Sequence, residues 1–176
     1  MAIDVKTSMR DIVWALIHGL HVEQSAMIDA ASRVRDKNIA RLYYEAAGQR
    51  GRFAEVLAAA LLEPDTSAGV SRFVEQLRSL IGDLKETLTD DSPYALLGVT
   101  IRIEDAILDQ YKRAVFHASE TPVSPLLRRQ FTDFTRGREY LATVRDQYAS
   151  SDVYKPVPLL NIFSLLRQQH PESEVS

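Results

Sequence analysis

The stretch SMRDIVWALIHGLHVEQSAMIDAASRV, from Ser8 to Val34, repeats its apolar residues at helical spacing over its whole length. Ser8, with Asp11 three residues on, is a capping-box pattern, so a helix is expected from Met9 to about Val34. At about 100° per residue its inward stripe is Met9, Ile12, Val13, Leu16, Leu20, Glu23, Met27, Ala31 and Val34. A carboxylate, Glu23, therefore points the same way as the apolar side chains.

Working outward, Asp36 caps a second helix from about Lys37 to Leu62, which Pro64 and the polar stretch from Asp65 to Gly69 stop. Ser92-Pro93 and Ser124-Pro125 each place a capping hydroxyl before a proline at the first helical position, and open helices of about 26 and 25 residues. Gly and Pro number only 14 together and gather at a few places. Four helices of ~38 Å each are the arithmetic of a four-helix bundle. The first two are joined by about two residues and the last two by a handful, so each pair is expected to be an antiparallel hairpin. Thirty residues separate Leu62 from Pro93, and most form an amphipathic segment from Val70 to Leu88 with Phe73, Val74, Leu77, Leu80, Ile81, Leu84 and Leu88. A helix of that length spans ~28 Å and returns along the bundle. The expectation is an all-α, ferritin-like bundle over residues 1–151, two antiparallel hairpins joined by a long helical crossover.

Composition narrows the function classes. Of 176 residues, 45% are hydrophobic and 26% charged, the range of one soluble globular core. The absence of cysteine removes disulfide scaffolds, thiolate metal sites and a Cys nucleophile. A net charge of -3 without a block of like charge gives no electrostatic footprint for nucleic acid or an anionic membrane. The longest apolar runs, such as Ile12 to Ile17, are far too short to span a bilayer, and no signal-peptide pattern is seen, so a cytoplasmic location is the default expectation.

The other stripes also carry polar residues. The second helix turns Ile39, Leu42, Tyr43, Ala46, Arg50, Phe53, Leu57 and Ala60 inward. The helix after Pro93 offers Leu97, Ile101, Glu104, Leu108, Tyr111 and Val115. The last long helix offers Leu127, Phe131, Phe134, Leu141, Val144 and Tyr148, with Gly137 on the stripe and Arg138 at its flank. Glu23, Arg50, Glu104 and Arg138 each sit near the middle of their helix, so they are expected to meet in one buried layer. A buried charge needs a partner. Either the two arginines neutralise the two carboxylates, or the carboxylates bind a cation.

Di-iron bundles take one Glu from each of two helices and a Glu-x-x-His pair from each of the other two. Glu23 and Glu104 match the single-Glu roles, but Glu45 is followed three residues later by Gly48 and Glu139 by Ala142. His18 and His21 lie opposite Glu23, His117 is at a helix end and His170 is in the tail. The balance of guanidinium against carboxylate groups favours an ion-pair network with no cofactor. The alternative is a histidine-free iron or manganese site on Glu23, Glu45, Glu104 and Glu139. Tyr43, Tyr44, Tyr111, Tyr140 and Phe53, at helical spacing, read as core. No glycine-rich phosphate loop is present.

Gln49-Arg50 followed by Phe53 and Leu57, Glu104-Asp105 followed by Tyr111, and the spacing of the Pro-initiated last helix together resemble a bacterial ferritin-like four-helix-bundle domain of unknown function, associated with stress responses. The resemblance covers about Met9 to Tyr148. It implies a ferritin-like fold without an assigned activity or substrate, and it makes Arg50 similar to a family feature. Where the wider ferritin superfamily has histidines in its second and fourth helices this chain has none, which weighs against ferroxidase activity.

The helical pattern breaks at Asp152. Residues 152–176 read as a linker with Pro156 and Pro158, then a short apolar helix, Leu159, Leu160, Ile162, Phe163, Leu165 and Leu166. That segment either covers its own bundle or docks on a protein partner, with Phe163 standing where the targeting tails of ferritin-like shell cargo usually carry Gly. The expected function is a non-catalytic binding or structural bundle, with a homo-oligomer open. A carboxylate di-metal oxidase and a tail-docked adaptor are the alternatives.

Overall fold

The computed structural model describes residues 8–62 and 71–150. Among them are five helices and no strand: α1 (Met9–Arg33), α2 (Lys37–Leu61), α3 (Arg72–Thr87), α4 (Pro93–His117) and α5 (Ser124–Ser150). The proposed tail helix, residues 159–166, lies outside the described residues.

The starts follow from local chemistry. Ser8 Oγ accepts from the Asp11 amide, and the Asp11 carboxylate accepts from the Ser8 amide at 3.1 Å, closing the capping box on α1. Asp36 accepts from the Asn38 and Ile39 amides, Ser71 from Val74, and Ser92 from Ala95 with Pro93 opening α4. Ser124 differs from expectation. It lies in the first turn of α5, with its amide bonded to the Thr121 carbonyl, so Pro125 is the second helical residue.

The helices pack against one another in the pairs α1 with α2, α3 and α4, α4 with α3 and α5, and α2 with α5. Arg35 bonds Asp91 at 2.9 Å and Tyr148 bonds Asp36 at 2.7 Å, gathering the end of α1, the start of α2, the start of α4 and the end of α5 at one pole. At the opposite half, Gln110 of α4 donates to the Ile12 carbonyl of α1 at 2.9 Å. So α1, α3 and α5 run one way, α2 and α4 the other.

The crossover helix expected at about residues 70–88 forms as α3 and packs as a fifth helix of the bundle. Phe73, Val74, Leu77, Ile81 and Leu84 of α3 are buried against α1 and α4. Burying a face of five such side chains contributes on the order of 10 kcal/mol gross, an upper figure because unfolded chains already hide some apolar surface. Gly19 permits the approach. A Cβ there would lie 2.5 Å from Phe73 Cε1 and 3.0 Å from Leu77 Cδ1, so the missing side chain lets α3 settle onto α1 without displacing the Phe73 ring. Among the described residues no helix is long and apolar enough to cross a membrane.

Candidate buried ion-pair layer

Arg50 stands midway along α2, and its side chain is 1% exposed. The stripe that buries Leu42, Tyr43, Ala46 and Leu57 carries it inward, so its guanidinium has no route to water. Nε donates to Glu23 Oε2 of α1 at 3.0 Å, Nη2 to Glu104 Oε1 of α4, and Nη1 to Gln49 Oε1 of its own helix. The guanidinium carbon lies 3.9 Å from the centroid of the Phe134 ring of α5. One planar cation thus touches all four long helices, two by charge-assisted bonds and one through a π face.

Further buried hydrogen bonds flank the layer. Towards the pole where α1 ends, Thr100 donates to the Leu96 carbonyl at 2.9 Å, which leaves the Tyr43 hydroxyl to donate to Thr100 Oγ1 at 2.7 Å. On the other side Tyr111 donates to Gln130 Oε1 at 3.0 Å, and Gln130 Nε2 donates to the Phe53 carbonyl at 3.2 Å. Phe134 and Phe131 pack against the Tyr111 ring. Asp133 is also buried on α5.

Electrostatics follow from this geometry. Burial pushes the Glu23 carboxyl well above the usual carboxylate range; Arg50 opposes that shift, and Glu104, within hydrogen-bonding reach, adds to it. Burial works against the charge on Arg50, but Glu104 and Glu23 outweigh it and leave the guanidinium above its ordinary value. Tyr43 and Tyr111 are both raised, chiefly by burial, with Thr100 opposing the shift at Tyr43 and Arg50 opposing it at Tyr111.

Glu23, Arg50 and Glu104 therefore form one buried ion-pair network. Arg138 does not join it, which corrects the sequence expectation. Its guanidinium turns outward to Asp105 of α4 through two bonds, 2.8 and 3.2 Å long, and the two side chains are 31% and 49% exposed. Gly137 occupies the centre of the inward stripe of α5, so Arg138 starts about 100° away from it. Asp105 supports that outward turn and holds the Arg138 charge more firmly.

The carboxylate metal set is not assembled either. Glu45 pairs with Arg41 at 3.3 Å one turn away on α2, and Glu139 is exposed on α5. The two carboxylates that do meet are engaged by a guanidinium, which repels a divalent ion. The donor set of a di-metal centre does not fit these residues. Among the described residues no group of three or more His, Cys, Asp or Glu side chains could hold a metal ion. His18 packs its ring 6.2 Å from Trp14, and His21 lies on the outer face of α1. Tyr44, read as core, is 51% exposed.

Sequence reasoning missed Gln49, Gln110, Gln130 and Thr100 as buried polar partners. The adjacency of Gln49 to Arg50 was a usable signal, because a buried guanidinium has more donors than two carboxylates need. Compared with models of protein families, with curated proteins and with solved structures, the chain matches none.

Proposed function

We propose that this protein is a ferritin-like helical bundle that works as a binding or structural element without a di-metal centre, its middle closed by an arginine. Three features support the fold reading: two helical hairpins, the long link between them, and the parallel run of α2 and α4 that this link produces. The stress association rests on the residues quoted for the family resemblance. The observation that carries the reading is Arg50, whose guanidinium bridges Glu23 and Glu104 in the middle of the bundle.

Such a layer fixes helix register. Sliding α1 or α4 by one turn would move its carboxylate ~5.4 Å from the guanidinium and strand a buried charge. The test is metal analysis of protein purified without chelator, followed by anaerobic ferrous titration and then admission of oxygen. The expected result is no stoichiometric iron or manganese and no oxygen uptake above buffer. Bound metal that disappears in Glu23→Ala and Glu104→Ala would overturn the reading in favour of an oxygen-activating centre.

A further inference from the structure

With Arg138 engaged by Asp105, one guanidinium faces two carboxyl groups in the layer. Glu23 Oε2 and Glu104 Oε1 take the arginine donors. The remaining oxygens, Glu23 Oε1 and Glu104 Oε2, are buried and meet no donor. If both groups were ionised, the layer would hold an uncompensated negative charge and two stranded acceptors, each costly away from water.

We propose that Glu23 and Glu104 bind one proton between them at neutral pH, as a carboxylic acid on Glu23 donating to the carboxylate of Glu104, which Arg50 neutralises. A single proton then does two things. It brings the layer to zero net charge, and it turns one of the two stranded acceptors into a donor for the neighbouring carboxylate. The proton is placed on Glu23, whose carboxyl is pushed by burial well above its ordinary value against the opposing charge of Arg50.

The surroundings reinforce this assignment. From α2, Arg50 and Tyr43 act on the pair, and from α4 Tyr111, which also senses Asp133 of α5; at the rim Arg138, which senses Glu104, is paired with Asp105. α3 packs on α1 with apolar side chains, and none of its charged residues is buried. The tyrosines carry no positive charge and Arg138 is committed to Asp105, so among these groups Arg50 is the cation that bonds the pair.

The inference deepens the proposed function, and it rests on the layer holding no metal. Because the folded Glu23 carboxyl lies above its unfolded value, the native state holds one proton more across that interval. Its stabilising contribution is complete below the unfolded value and is lost as pH rises towards the folded one. Across that window the unfolding constant of the wild type should rise about tenfold per pH unit from this pair alone. Glu23→Gln keeps the shape and the donor of the neutral acid, so this part of the slope should vanish.

The experiment is urea unfolding of chelator-treated wild type, Glu23→Gln and Glu23→Gln/Glu104→Gln between about pH 5 and 9, with infrared spectra of the folded wild type in heavy water. The expected result is that Glu23→Gln equals or exceeds the wild type near pH 8, that the double variant is far weaker because Arg50 is left without an anion, and that the wild type shows a carboxylic-acid carbonyl band near neutral pH which the single variant lacks. A Glu23→Gln protein weaker than wild type near pH 8 with an unchanged slope would overturn the assignment. If that variant does not fold, absence of the band from the wild type overturns it alone. Metal in the untreated protein would count against the proposed function, whereas these outcomes are read in its absence.

Discussion

Replacing Arg50 by methionine keeps an unbranched stem in the core and removes the guanidinium. Glu104 loses its cation, Glu23 Oε2 and Gln49 Oε1 lose donors, and the Phe134 ring loses its charge contact. Breaking a buried pair from one side costs about 3 to 5 kcal/mol, because the partner charge stays buried. An independent ceiling comes from protonation. The carboxylate that has lost its cation escapes by taking up a proton, and against an unfolded-state glutamate value of roughly 4.3 this costs about 4 kcal/mol near pH 7 but only about 1 kcal/mol near pH 5. The two routes agree near neutrality and predict a loss that shrinks in acid. For a chain of this length about 4 kcal/mol lowers Tm by roughly 8 to 16 °C. Urea unfolding followed by circular dichroism near both pH values measures it. A loss below about 1 kcal/mol near pH 7, or one of equal size at both pH values, would refute the reasoning. Replacing all three groups together, Glu23→Met, Arg50→Met and Glu104→Leu, leaves no stranded charge and should fall close to the wild type.

Arg138→Ala offers the contrast, since its pair with Asp105 is partly open to solvent: the expected loss is below about 1 kcal/mol and falls further in high salt, as thermal melts at two ionic strengths will record. Gly19→Ala should destabilise by about 1 to 2 kcal/mol, because the Phe73 ring must move; at Gly51 a Cβ meets the mobile amide end of Gln24, and alanine there should be within about 0.5 kcal/mol of neutral in the same unfolding assay. Tyr43 and Tyr111 are raised by burial, so in a spectrophotometric titration of the native protein at least two of its 7 tyrosines should stay neutral above about pH 10 until it unfolds, and stability should decline there as the unfolded state ionises first; Tyr43→Phe and Tyr111→Phe should each reduce the silent fraction by one.

Much of the fold was legible because its signals are local. Ser8 with Asp11, Asp36, and Ser92 with Pro93 act within one helical turn, and apolar spacing over 25 residues leaves little choice of inward face. The same periodicity turned Glu23, Arg50 and Glu104 inward, since each lies near the middle of its stripe. It misplaced Tyr44 and Ala60, which stand at the edges of theirs, where 100° steps separate core from solvent only coarsely.

The sequence by itself settled which helices form, where most of them begin, and that acid and base share the buried faces. Tertiary structure decided how those charges pair, because pairing depends on which helices adjoin and on how far each side chain reaches. Asp105 lies beside α5 and draws Arg138 outward, so two carboxyl groups are left to one guanidinium. It also decided that α3 closes the core, through the space left by the missing side chain at Gly19. A one-dimensional pattern records the direction of each side chain from its own axis, whereas charge balance is a sum over neighbours that only folding brings together.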